Sequence, residues 1–120
     1  MKILQSAEDY LETILQIKNE KGNVRSIDIA HELNFSKASV SLAMKKLREN
    51  NYIVVDETGY ITLTETGQEI ASRIYERHQL LIDVLVKIGV SKDQAKIDAC
   101  KVEHNISEET FQAIKKYIEK

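Results

Sequence analysis

The sequence predicts a mainly α-helical protein carrying one small β-hairpin. Apolar residues recur at helical spacing through most of its 120 residues. The chain has no proline and only four glycines, which leaves little material for long irregular loops. Two β-prone runs, Tyr52–Val55 and Tyr60–Leu63, flank a polar turn that ends in Gly59.

The first predicted helix covers residues 7–20. Ser6 is its expected N-cap, with Asp9 three residues on. Tyr10, Leu11, Ile14, Leu15 and Ile17 form its apolar stripe, and Gly22-Asn23 ends it. Ser26 caps a short second helix, residues 27–33, with Ile27, Ile29, Ala30 and Leu33 apolar. Asn34-Phe35-Ser36 makes a tight turn, since Asn tolerates the left-handed conformation. A third helix over 37–50 turns Val40, Ala43, Met44 and Leu47 inward. Two short helices around a three-residue turn read as a helix-turn-helix, and the hairpin behind them reads as a two-stranded wing.

Thr66 and Glu69 fit a capping box for a long helix over 65–88, closed by Gly89. Ser91 with Gln94 starts a helix over 92–104, and Ser107 starts the last, over 108–119. The expected architecture is thus an N-terminal winged helix-turn-helix, residues 1–72, followed by a helical part, residues 73–120.

Hydrophobic residues make up 42% of the chain and charged residues 30%, the balance of a soluble globular protein. The net charge of −2 is not that of a non-specific nucleic-acid binder, though a local basic patch suffices for specific binding. One cysteine excludes an intramolecular disulfide. The absence of a signal-type apolar segment at the N-terminus predicts a cytoplasmic protein, in which that cysteine stays a thiol.

Two groups of residues carry chemistry. In Cys100-Lys101-Val102-Glu103-His104 a thiol, a carboxylate and an imidazole stand at i, i+3 and i+4, on one face of a helix. Asp9 and Glu12 stand at i, i+3 on the first helix, and His78 lies on the long one. All are ligand types for a divalent transition metal. Taken alone, a D-x-x-E pair is most often a solvated face, and a single histidine after Arg77 is usually on the surface. His31 has no ligand-type neighbours and reads as exposed.

The second group is the third helix, the expected DNA-reading element. Ser36, Lys37, Ala38 and Ser39 at its start are small or polar and suit the major groove; Ala38 fits a thymine methyl. Lys37, Lys45, Lys46 and Arg48 make this the most basic stretch, Leu42 lies among them, and Arg25 is placed for a phosphate. The candidate DNA-binding residues are therefore Arg25, Ser36, Lys37, Ala38, Ser39, Leu42, Lys45 and Lys46. The wing tip, Asp56-Glu57, is acidic and a poor phosphate binder.

Ser6-Ala7-Glu8-Asp9-Tyr10-Leu11-Glu12, Arg77-His78-Gln79-Leu80-Leu81 and Cys100-Lys101-Val102-Glu103-His104, in this order, resemble the diphtheria toxin repressor / manganese transport regulator family of metal-dependent transcriptional repressors. The likeness runs from Ser6 to beyond Ser107. It implies that Asp9, Glu12, His78, Cys100, Glu103 and His104 hold the metal and that residues 73–120 form a metal-binding and dimerisation domain. It also implies that a homodimer binds palindromic operator DNA to control metal homeostasis genes, metal tethering the N-terminal helix to the dimerisation part.

The chain departs from both branches of that family. The manganese branch usually has Glu where Cys100 stands. The iron branch usually has Met where Asp9 stands and lacks Glu12. Ile82 and Lys96 occupy positions of that branch's ancillary ligands, so the ancillary site is expected to be missing in its usual form. The chain reads as a short form lacking the C-terminal SH3-like domain. A thiolate favours Fe²⁺, Co²⁺ or Zn²⁺ and the carboxylates favour Mn²⁺ or Fe²⁺, so Fe²⁺ is favoured and Mn²⁺ comes next, with Zn²⁺ or Co²⁺ binding in vitro.

Two other readings stay open at the level of sequence. One is a metal-independent winged-helix regulator sensing oxidation through Cys100. The other is a metal site that is purely structural. A metallo-hydrolase is disfavoured, since no H-E-x-x-H motif is present and no substrate cleft is expected.

Overall fold

The computed structural model describes residues 5–119. Among the described residues, six helices and one two-stranded sheet follow in the order α1 (Gln5–Lys21), α2 (Ser26–Leu33), α3 (Lys37–Glu49), β1 (Ile53–Val55), β2 (Ile61–Leu63), α4 (Glu65–Lys87), α5 (Lys92–Val102) and α6 (Glu108–Ile118). The chain divides into two compact units, Met1–Ser72 and Arg73–Lys120.

In the first unit, α1 buries Leu11, Ile14, Leu15 and Ile17, the stripe expected from the spacing. They share a core with Ile29 and Ala30 of α2 and with Val40, Met44 and Leu47 of α3. Ala43, expected to face inward, is only half-buried, and the apolar Ile27 is exposed. Asn34 adopts the left-handed conformation (φ 57°, ψ 43°), and the Phe35 amide donates to the Ala30 carbonyl, closing the turn of the helix-turn-helix.

β1 and β2 pair antiparallel in the register Ile53–Leu63, Val54–Thr62, Val55–Ile61. The pleat turns Ile53 and Ile61 into the core. The Ile61 amide donates to the Val24 carbonyl at 2.7 Å, so the link between α1 and α2 is stitched to the wing. At the wing tip, Asp56 Oδ1 accepts from the Thr58 amide (2.9 Å), the Thr58 hydroxyl (2.8 Å) and the Tyr60 amide (3.0 Å), and Gly59 takes φ +88°. The Thr58 hydroxyl first, then the Tyr60 amide, hold the Asp56 carboxyl below the usual carboxylate range.

Three expected caps are corrected. Ser6 lies inside α1 and does not begin it. Ser26 is the first helical residue of α2: Arg25 caps the helix, and its amide donates to the Asp28 carboxylate at 2.9 Å. The long helix starts from Thr64 in place of Thr66. The Thr64 hydroxyl accepts from the Gly67 amide (3.1 Å) and donates to the Asn51 carbonyl (2.7 Å). Gly67 is required there, because a Cβ would collide with the Tyr52 carbonyl.

The second unit has a smaller core: Leu81 and Ile82 of α4 against Ala95 and Ala99 of α5, with Leu85, Val90, Ile106 and Ile114 partly buried around them. Ser91 and Ser107 cap α5 and α6 as expected, accepting from the Gln94 and Thr110 amides. Gly89, at φ +110°, ends α4. Among the described residues, no helix is long and apolar enough to cross a membrane.

Candidate functional site

The end of α5 sets up the chemistry of the second unit. α5 stops at Val102, two residues short of expectation, and Glu103 continues it as a C-cap in helical conformation (φ −57°, ψ −27°). This turns the Glu103 side chain fully into the interior, at 0% exposure. Its Oε2 lies 2.8 Å from His78 Nδ1 on α4, and its Oε1 lies 3.2 Å from His104 Nε2. The His104 and His78 side chains are themselves 2% and 15% exposed, so His78 is not the surface residue its neighbours suggested.

An ionised carboxylate only accepts, so with Glu103 charged the His78 Nδ1 that meets it at 2.8 Å is the donor. The other nitrogen of the His78 ring then has its lone pair, in the pattern by which an imidazole is oriented for a metal. A carboxylate buried this deeply costs several kcal/mol unless positive charge or donors surround it. A carboxylate between two imidazoles therefore fits a divalent cation in both charge and donor type. Cys100 sits one turn before Glu103 on α5 and is exposed.

Sequence patterns gave Arg77 no role, yet it is built into the same corner. It is 8% exposed. Its Nη1 donates to the carbonyls of Glu103 (3.1 Å) and Ile106 (3.2 Å), and its Nη2 to Glu108 Oε2 (2.7 Å). The guanidinium lies 5.2 Å from the centre of the Phe111 ring. A C-x-x-E-H search cannot find it, since its partners are 26 to 31 residues away.

In the first unit, Asp9 and Glu12 lie one turn apart on α1. Glu12 is buried, and the Asp9 carbonyl accepts from the Thr13 hydroxyl at 2.8 Å. On α3 the DNA candidates separate into two sets. Ser36 accepts from the Ser39 amide (3.1 Å), and the two hydroxyls bond each other (2.9 Å), so both are engaged in the cap. Lys37, Ala38, Leu42, Lys45 and Lys46 are exposed, as is Ser41. Ala38, Ser41, Leu42 and Lys45 follow the 3–4 spacing of one helix face. Arg25 is exposed and stacks over Tyr60, its guanidinium 4.3 Å from the ring centre. That pairing ties it to the wing, and neither residue's neighbours in sequence announce it. His31 is exposed.

A winged helix-turn-helix with a solvent-facing basic helix, joined to a helical unit with a buried carboxylate–imidazole cluster, is the build of a ligand-responsive DNA-binding regulator. Residues 2–60 match the iron dependent repressor N-terminal DNA binding domain, and residues 64–120 match the iron dependent repressor metal binding and dimerisation domain. The chain belongs to this family, that of the diphtheria toxin repressor and the manganese transport regulators.

It is 36% identical over 118 residues to an uncharacterised helix-turn-helix transcriptional regulator of Methanocaldococcus jannaschii, covering 97% of this chain and 94% of that one. It is 34% identical over 113 residues to the transcriptional regulator MntR of Escherichia coli O157:H7, covering 94% and 73%. Among solved structures, the IdeR of T. acidophilum superposes with a TM-score of 0.83 at 26% identity, over all of this chain and 56% of that one. A manganese-dependent transcriptional repressor in complex with manganese superposes with a TM-score of 0.82 at 28% identity, over 90% and 50%. The chain thus spans about half the length of these solved relatives. It is a metal-dependent transcriptional repressor of this family and not an enzyme. Membership decides against the metal-independent redox regulator held open by the sequence.

Proposed function

We propose that Asp9, Glu12, His78, Cys100, Glu103 and His104 hold one or two divalent cations, and that cation binding turns on operator recognition by a homodimer. The observation that carries this reading is the fully buried Glu103 carboxylate between His78 and His104. Bound metal brings positive charge to this carboxylate and to those of α1. His78 and His104 offer neutral nitrogens, Glu103 an oxygen, and Cys100 a thiolate after losing its proton. Asp9 and Glu12 add oxygens from α1, which joins residues 1–72 to the metal-binding and dimerisation part, residues 73–120. As a switch, the ion must bind the DNA-competent arrangement more tightly than the alternatives.

Fe²⁺ is the favoured ion because it accepts thiolate, imidazole and carboxylate together; Mn²⁺ is next. The family description names iron, while one solved relative is a manganese-dependent repressor bound to manganese. On DNA, the two recognition helices of the dimer read the halves of a palindrome. Ala38 and Leu42 face base edges and Lys37, Lys45, Lys46 and Arg25 face phosphates. Ser36 and Ser39 hold the helix start in shape and reach phosphate only at its rim.

The test is an anaerobic gel shift on the promoter of a neighbouring metal-transport gene, with Fe²⁺, Mn²⁺, Zn²⁺ or chelator. Retardation that appears with Fe²⁺ or Mn²⁺ and disappears with chelator is the expected result. Retardation indifferent to every addition overturns the reading.

A further inference from the structure

We propose that Arg77 is a positioning residue for the metal centre: its guanidinium fixes the backbone that carries Glu103 and His104 against the helix that carries His78, so the ligands stand arranged before an ion arrives. The inference rests on the metal reading above and deepens it.

Arg77 and His78 are neighbours on α4, and they grip one residue from two sides. His78 meets the Glu103 carboxylate at 2.8 Å, while Arg77 Nη1 donates to the Glu103 main-chain carbonyl at 3.1 Å. With both ends of Glu103 held, its side-chain torsions are restricted. The same nitrogen donates to Ile106 O at 3.2 Å, so the segment that carries His104 is fastened on either side of it. Carbonyls at a helix C-terminus lack intrahelical donors, and the end of a helix attracts a cation. Arg77 satisfies both demands at the end of α5.

The guanidinium fork reaches the two carbonyls through Nη1 and Glu108 through Nη2 at once. Arginine presents five donors in fixed directions, while lysine is a single flexible point charge. The ion pair with Glu108 is the lesser part, because the Glu108 side chain is 59% exposed and such pairs contribute little. Outer partners that orient metal ligands typically change affinity by about 10–100-fold when removed.

The experiment measures Mn²⁺ affinity of the full chain by competition with a fluorescent chelator, alongside unfolding temperature in excess chelator. It compares wild type with Arg77→Lys, Arg77→Gln and Glu108→Gln. The expected result is roughly a tenfold or greater loss of Mn²⁺ affinity for both Arg77 variants and about a twofold change at most for Glu108→Gln. Arg77→Lys keeps the charge and the stem, so it is the variant that stays folded without metal. A residue that merely supports the fold would lower the metal-free unfolding temperature and leave the Mn²⁺ affinity of Arg77→Lys unchanged; that outcome overturns the proposal. An equal loss in Glu108→Gln also overturns it, by assigning the effect to the ion pair. A wild-type chain that binds no Mn²⁺ is a different result: it removes the metal reading itself, whatever the variants do.

Discussion

The two units solve the problem of stability in opposite ways. The first packs thirteen apolar side chains into its interior, counted over α1 to the start of α4. Among the described residues its one buried acid, Glu12, lies one turn from Asp9 on α1. The second, counted the same way among the described residues, has six, two of them alanines, and places a carboxylate, an arginine and two imidazoles where larger apolar side chains would otherwise pack. A largely apolar interior responds little to solution chemistry. A buried ionic one is stable only while its charges are matched, and so it can respond to a cation. The DNA-reading unit is built to be constant and the sensing unit to be conditional.

The sharpest way to break that contrast is Glu103→Ala. It leaves two buried imidazoles facing a cavity and should cost on the order of 3 kcal/mol of stability, together with all Mn²⁺ binding. Thermal unfolding with and without chelator reads both. Next, Mn²⁺ at about a hundredfold above its dissociation constant should stabilise the wild-type chain by about 2.7 kcal/mol. Hydrogen exchange should place the gain in amides near Glu103 and His104 and little of it in α2 and α3. Uniform protection of α2 and α3 would erase the distinction between the units.

Gly67→Ala is the mirror experiment. Its new methyl collides with the Tyr52 carbonyl, so the first unit should lose about 2 kcal/mol by overpacking while Mn²⁺ affinity stays as it was. Leu42→Ala should leave both stability and metal affinity intact, because Leu42 is 55% exposed. It should weaken operator binding roughly tenfold, as loss of an apolar base contact worth about 1–2 kcal/mol would; a gel-shift titration at saturating Mn²⁺ measures it.

The smallest effect belongs to Asp56. Its folded carboxyl titrates below the ordinary value of 3.8, so its contribution is complete above that value and is lost as pH falls through the lower folded one. Asp56→Asn should therefore be slightly less stable than wild type at pH 7, and the difference should close in strong acid, as parallel melts at descending pH would show.

Local signals carried most of the architecture. The 3.6-residue stripe of α1, the left-handed Asn34 and the Gly-ended wing turn each act within a few residues of themselves, and all are readable in order. The errors also have local causes. Thr66-Gly67-Gln68-Glu69 matches the S/T-x-x-E capping pattern, but the helix starts from Thr64 because the Asn51 and Tyr52 carbonyls bind that residue. Ser26 was the better capping residue by type, yet Asp28 reaches back to the Arg25 amide and fixes the start one residue earlier.

Of the site, the residue types and their spacing were legible: C-x-x-E-H names three ligand types without any structure. What spacing cannot show is depth. Nothing around Glu103 announces that it is fully buried, or that Arg77 holds its carbonyl, since both follow from packing between segments some 25 residues apart. Likewise the sequence offered Ser36 and Ser39 for the major groove, and spacing alone does not show that their hydroxyls bond each other at the helix start.

The bond from Ile61 to Val24 has a mechanical meaning. Hairpin wings are often pictured as flaps that sway on their own hinge. Here the hairpin's second strand is fastened to the segment that leaves α1, and Arg25 lies flat on Tyr60 beside the fastening. The wing is therefore tied to the helix that bears Asp9 and Glu12, and a pull on that helix reaches the hairpin by a lever three residues long.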